Sequence, residues 1–139
     1  MGIKDSRRLS IVVPNLYPDL SYKDGKDYFL QNDSNGKGTY VVWNNKDISE
    51  PTDKELEDGK KQALINHWWK ILRMERDQLL ARSDQFAVSD RPDNADWVSY
   101  RGKLRNLPAT VTKPDYEVLN NLEIADWNIS GLMPNKPNN

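Results

Sequence analysis

The chain has 139 residues, with 20 Lys and Arg against 21 Asp and Glu, one His and no Cys. Near-neutral charge, with no basic arm in any region, argues against nucleic acid or an anionic membrane as partner. The missing thiols exclude disulfide scaffolds, thiolate zinc sites and Cys nucleophiles.

The length favours one compact domain with a small appended layer. No apolar run approaches the roughly 20 residues that span a bilayer, and the start lacks the apolar stretch of a signal peptide. Production and retention in a cytoplasm follow. Met1-Gly2 with Ser6 formally fits a myristoylation pattern, but so short a pattern is common and carries little weight.

Residues 1–25 read as an extended arm. Its one apolar run, Leu9 to Val13, is bounded by Pro14 and Pro18, which interrupt a helix, so it is expected as an edge strand or an extended segment. Residues 26–50 hold a predicted β-hairpin. KDYFLQ and TYVVW flank the turn cluster NDSNGKG, with Asn35-Gly36 at its centre. Tyr28 and Leu30 share one face of the first strand with Phe29 opposite. Tyr40 and Val42 share a face of the second, with Val41 and Trp43 opposite. Both faces are partly apolar, and one layer of helices covers only one of them.

Residues 51–108 are predicted to form a helical hairpin. The long helix spans 52–83, opening on a Thr52/Glu55 capping box after Pro51. Gly59 weakens its first turns, so its firm part is expected from Lys60. Ile65, Trp68, Trp69, Leu72 and Leu79 fall on one helical stripe, with Arg76 inside it. After the connection DQFAVSDRPD a second helix is predicted from Asn94 or Ala95 to Asn106, with Asn94 as N-cap and Pro108 as terminator. Its stripe is Trp97, Tyr100, Leu104 and Leu107, with Arg101 inside it. Two such helices should pack stripe on stripe, with Trp97 on the Ile65–Leu72 face. Residues 109–139 are read as an irregular tail, with a weak helix or turn over 114–122 and one strand in EIADWNISGLMP. The predicted class is α+β, a small N-terminal β-hairpin packed on a C-terminal two-helix hairpin.

A guanidinium in an apolar seam needs a partner. Asp84 is the nearest carboxylate for Arg76 or Arg101, with Asp90 and Asp96 as others. Three readings stay open: a bridge that fixes helix docking, an arginine turned to a client, or a catalytic group. Nothing else in the sequence supports catalysis. There is no phosphate-binding glycine loop and no nucleophile elbow. His67 alone makes no metal site, so it reads as an ordinary helix residue, and no cofactor is implied. Of Trp68 and Trp69 only one fits the seam. The other is left to the sheet or to a partner.

Arg76-x-x-Leu79-Leu80-x-x-Ser83-Asp84 is followed by Trp97-x-x-Tyr100-Arg101-x-x-Leu104-Arg105-x-Leu107-Pro108. This pair of motifs resembles the signature of the phage tail assembly chaperone family, and the YFLQND…YVVWN hairpin is similar to the N-terminal region of such proteins. Two departures stand out. The aromatic expected directly after Ser-Asp is replaced by Gln85-Phe86, and the chain closes on MPNKP, with Trp127 as the candidate stand-in for the family's closing aromatic. The resemblance implies a non-enzymatic protein encoded beside a tail fibre, which binds the fibre in the host cytoplasm and assists its folding or trimerisation. Retention on the virion, as a structural adaptor or clamp of tail or baseplate, is the alternative, and self-association stays open. The surface offered to the partner is expected from Leu9, Ile11 and Val13 of the arm, from Phe29, Val41 and Trp43 of the hairpin, and from Trp68.

Overall fold

The computed structural model describes residues 7–137; the myristoylation pattern at Met1–Ser6 and the last two residues of the polar tail lie outside them. The architecture is α+β, with one two-stranded antiparallel sheet and several helices. The chain divides into two compact units, Met1–Asn66 and His67–Asn139.

The first unit opens with helix α1 (Leu9–Leu16), where an edge strand or extended arm was expected. Leu9, Ile11, Val12 and Val13 are all buried. A run apolar on every side has no strand alternation to offer, and a short buried helix hides it better. Arg8 starts the helix in the left-handed region (φ 53°) and its carbonyl accepts from the N–H of Ile11 and of Val12, both at 2.9 Å. Pro14 does not prevent the helix. Its missing N–H deprives only the Ser10 carbonyl of its partner one turn on, and Tyr17 N–H still closes onto Val13 at 2.9 Å.

The hairpin forms as read, β1 (Tyr28–Asn32) against β2 (Thr39–Trp43) in one-to-one register from Tyr28↔Trp43 to Asn32↔Thr39. The turn is built by its own side chains. Asn32 Oδ1 accepts from Ser34 N–H at 2.8 Å and Asn35 Oδ1 from Lys37 N–H at 3.0 Å, while Ser34, Gly36 and Gly38 take positive φ. Tyr28 stacks on Trp43 at 6.0 Å, and Tyr17, just past α1, meets Trp43 edge-on at 5.2 Å. The Tyr28/Trp43 face is therefore the inner one.

Helix α2 (Asp53–Ser83) begins in the first unit. Its capping box is reciprocal: Glu55 N–H donates to Thr52 Oγ1 at 3.1 Å, and Thr52 N–H to Glu55 Oε1 at 3.4 Å. Gly59 does not delay the helix. A Cβ there would stand 3.0 Å from Leu16 Cδ2, so the glycine makes room for the end of α1.

The second unit takes the rest of α2, a 3₁₀ turn (Asp84–Phe86), α3 (Asn94–Thr110), α4 (Tyr116–Asn121) and 3₁₀ turns at Ile124–Asp126 and Ser130–Leu132. Three expectations are corrected. The N-cap of α3 is Asp93, not Asn94, and its side chain does not cap the helix because it is bonded elsewhere. Pro108 does not end α3. It removes a single helix bond, and Val111 N–H still reaches Leu107 carbonyl at 3.1 Å. Among the described residues EIADWNISGLMP forms no strand, and is anchored instead by Trp127 and Ile129, both buried. Trp127 Nε1 donates to Leu119 carbonyl at 3.1 Å, tying this segment to α4.

Candidate partner-binding surface

The open surface of the first unit lies along one edge of the hairpin. Asn44 N–H donates to Asp27 carbonyl at 2.8 Å, which fixes the antiparallel alternation. Phe29 and Gln31 turn their backbone groups toward β2, while Tyr28, Leu30 and Asn32 turn theirs outward. On the opposite edge Thr39 carbonyl accepts from the Arg7 guanidinium. No backbone bond from the described residues reaches the outward groups of Leu30. Beside this free edge runs an apolar groove of about 480 Å³, lined by Ser10 and Pro14 of α1, by Tyr22, and by Tyr28, Phe29 and Leu30. Tyr22 is 69% exposed and Phe29 36%. Below the sheet the Asp27 carboxyl is held beneath the usual carboxylate range, first by Ser21 N–H and then by Asn45. This pins the chain that carries Tyr22.

The residues expected to meet a partner are therefore not brought together. Leu9, Ile11 and Val13 are buried in α1, because the run they belong to became core. Trp68, at 3% exposure, is buried too, and Trp69 is its half-exposed neighbour, edge-on at 4.9 Å with the Arg73 guanidinium over its ring. Val41 and Trp43 lie on the inner face, Trp43 with its indole N–H on Ile48 carbonyl at 2.7 Å. Phe29 alone of the seven lines the groove. Tyr22, Ser10 and Pro14, which line the groove, were not among the seven. Tyr22 was legible as a lone aromatic in the polar stretch SYKDGKD. Ser10 needed the knowledge that the run is helical.

In the second unit the motif residues gather at the end of α2. Arg101 donates to Leu80 carbonyl and to Ser83 Oγ (2.9 Å), and its guanidinium lies 3.4 Å from Asp84. Ser83 Oγ in turn donates to Leu79 carbonyl at 2.7 Å. Arg76 does not join this cluster; it pairs with adjacent Asp77 at 3.0 Å. Leu79 and Leu80 are half-buried, Tyr100 and Leu104 buried, Pro108 half-buried, and Arg105 faces solvent. Trp97 is not seated in the seam. It is half-buried against Phe86 (4.5 Å) and Tyr100 (5.6 Å), with its indole N–H on Asp93 at 3.0 Å. The displaced aromatic Phe86 thus still finds the motif tryptophan, and the Arg91 guanidinium lies over the Phe86 ring at 4.8 Å. The Asp93 carboxyl is pulled down to about 2, chiefly by Arg91 and further by Trp97. His67 lies edge-on to Trp127 at 6.0 Å, its pKa lowered by burial and by nearby Lys70. Among the described residues no cluster of three or more metal-ligating side chains occurs, and no helix is long and apolar enough to cross a membrane.

Residues 69–127 match the family model of the phage tail assembly chaperone protein. That span holds both motifs and the Arg101 cluster. That span is similar to the phage tail assembly chaperone family. A second model, described as the XkdW protein, matches residues 9–64, from the first residue of α1 into α2. The two matches fall on the two structural units, one on each side of the division after Asn66. No curated protein and no solved structure matches the chain. The chaperone-family assignment supports a role in phage tail assembly inside a host cell, through interaction with tail proteins.

Proposed function

We propose that this protein is a tail-fibre assembly chaperone. It binds the fibre polypeptide non-covalently in the host cytoplasm and covers apolar surface and unpaired strand edges until the fibre trimer closes. Such surfaces are aggregation-prone before assembly, and shielding them needs neither catalysis nor a cofactor. The observation that carries this reading is the chaperone-family match over residues 69–127, which contains the whole Trp97–Pro108 motif. The uncharged edge on the first unit supplies a physical means of holding a client.

The test is co-expression with the fibre polypeptide of the same phage. The expected result is a higher yield of soluble trimeric fibre and co-purification of this protein with it. Equal fibre solubility with and without this protein, and no co-purification, overturns the reading. Mass spectrometry of purified particles separates the two modes of action: absence marks a released chaperone, and stoichiometric presence a permanent adaptor.

A further inference from the structure

We infer that Asn35-Gly36, at the tip of the β1–β2 hairpin, is a self-modifying site. The Gly36 backbone nitrogen attacks the side-chain carbonyl carbon of Asn35, and the reaction leaves an aspartate or an isoaspartate at position 35. The only co-reactant is water, so the inference stands apart from the chaperone reading.

The attack is fastest where three conditions meet: a glycine after the amide residue, a glycine N–H that no hydrogen bond holds, and room for the side chain to fold back. The sequence offers three steps that can close the same cyclic imide. Asn35-Gly36 is its one Asn-Gly, and Asp24-Gly25 and Asp58-Gly59 are its two Asp-Gly steps. The fold closes both of the latter. Gly25 N–H donates to the Tyr22 carbonyl at 3.0 Å. Gly59 lies inside α2, where its N–H belongs to the helix ladder.

Asn35-Gly36 stays open. Gly36 lies between the strands, outside the β1–β2 ladder, and its N–H finds no backbone acceptor among the described residues. Both residues are exposed, and a Cβ built on Gly36 meets nothing within 4 Å. Gly36 has φ 83°, so the turn that favours glycine here also supplies an unhindered nitrogen. The side chain is already poised. Asn35 Oδ1 accepts from Lys37 N–H at 3.0 Å. The ring this bond closes contains the Gly36 nitrogen, which keeps Cγ beside the atom that attacks it. The bond also draws electrons from the carboxamide and makes Cγ a better electrophile.

The step balances without an oxidant or reductant. The Gly36 nitrogen gives up its proton and bonds to Cγ, the Cγ–Nδ2 bond breaks, and ammonia leaves with that proton. Water then opens the imide. Cleavage of the new N–Cγ bond gives aspartate on the original main chain. Cleavage on the other side gives isoaspartate, whose main chain runs through Cβ and Cγ. Each product adds a negative charge. Isoaspartate also lengthens the turn by a carbon and gives up the Oδ1 bond to Lys37, which loosens the hairpin beyond the Asn32↔Thr39 pair.

Ageing of the purified full-length protein in mildly alkaline buffer tests this, read by peptide mass spectrometry that separates aspartate from isoaspartate. In native protein both products are expected at position 35, forming faster as pH rises, while Asp24 and Asp58 stay unisomerised. In guanidinium chloride isoaspartate is expected at all three positions. Asn35→Gln has to close a larger ring, and should abolish the product while keeping the glycines of the turn. A native rate at Asn35 about tenfold or more below the unfolded rate, a barrier higher by about 1.4 kcal/mol, means that the fold shuts the site and overturns the inference. Aspartate at position 35 without isoaspartate marks direct hydrolysis and overturns it too. So does isoaspartate forming in native protein at position 24 or 58 as fast as at position 35.

Discussion

Arg101 offers the sharpest test of how the second unit is held together. Its side chain is 13% exposed, while that of Asp84, its ion-pair partner at 3.4 Å, is 81% exposed. A pair with one partner so open to water is screened and contributes about 0–1 kcal/mol. The bonds from the guanidinium to Leu80 carbonyl and Ser83 Oγ are sheltered and charge-assisted. Such bonds contribute about 1.5–3 kcal/mol each before the guanidinium's desolvation is set against them. Arg101→Ala should therefore destabilise by about 2–4 kcal/mol. Asp84→Asn should cost less than about 1 kcal/mol, and less still in high salt. At about 3–4 °C per kcal/mol for a chain of this length, the first substitution lowers Tm by about 6–16 °C and the second by under about 4 °C. Thermal denaturation followed by circular dichroism resolves the two. If Asp84→Asn costs as much as Arg101→Ala, the carboxylate and not the helix end is the partner that matters, and the argument fails.

Gly59 should show its purpose only in combination. In a Leu16→Ala background Gly59→Ala should gain about 0.5–1 kcal/mol of helix propensity in urea denaturation, and it should lose most of that gain when Leu16 is present. Asp93 predicts an acid limit. Its folded pKa, about 2, lies below the ordinary carboxylate value, so the stability it contributes is complete above about pH 4 and is lost as pH falls toward 2. Tm measured against pH should therefore flatten in Asp93→Asn over that window, with a residual slope from Asp27 and Asp33, whose carboxyls are also lowered. An unchanged slope would show that Arg91 and Trp97 do not hold the carboxylate in solution.

Local signals were the legible part of this chain. The Thr52/Glu55 box, the Asn-Gly turn and the capacity of two apolar stretches for pairing all act over a few residues, and each appears where the sequence places it. The N-terminal run was not legible, because Leu-Ser-Ile-Val-Val carries no period that separates a buried strand from a buried helix. Proline misled twice for one reason. At Pro14 and at Pro108 it removes one hydrogen bond, which the buried neighbours Val12, Val13, Leu104 and Leu107 outweigh. The partner surface was read from apolarity alone, which located core residues such as Trp68 and Ile11. What exposes an edge is the hydrogen-bond alternation of β1, set by Asp27, and composition does not reveal which backbone groups turn outward.

The bonds from Arg101 to the end of α2 also bear on the order in which the second unit forms. No glycine follows Ser83 to close the helix, and the last turn is completed by a residue on α3, 21 positions beyond Leu80. Until α3 docks, the Leu80 carbonyl lacks its charged donor and keeps only the local Ser83 hydroxyl at 3.3 Å, so that turn is the looser end of α2. The intervening connection is short enough to close within about 10–100 ns, so this loss is repaired early and cheaply in chain entropy. Docking and helix termination are thus one event. A lesion in α3 should be felt first as unwinding at Leu79–Ser83, well before the rest of α2 responds.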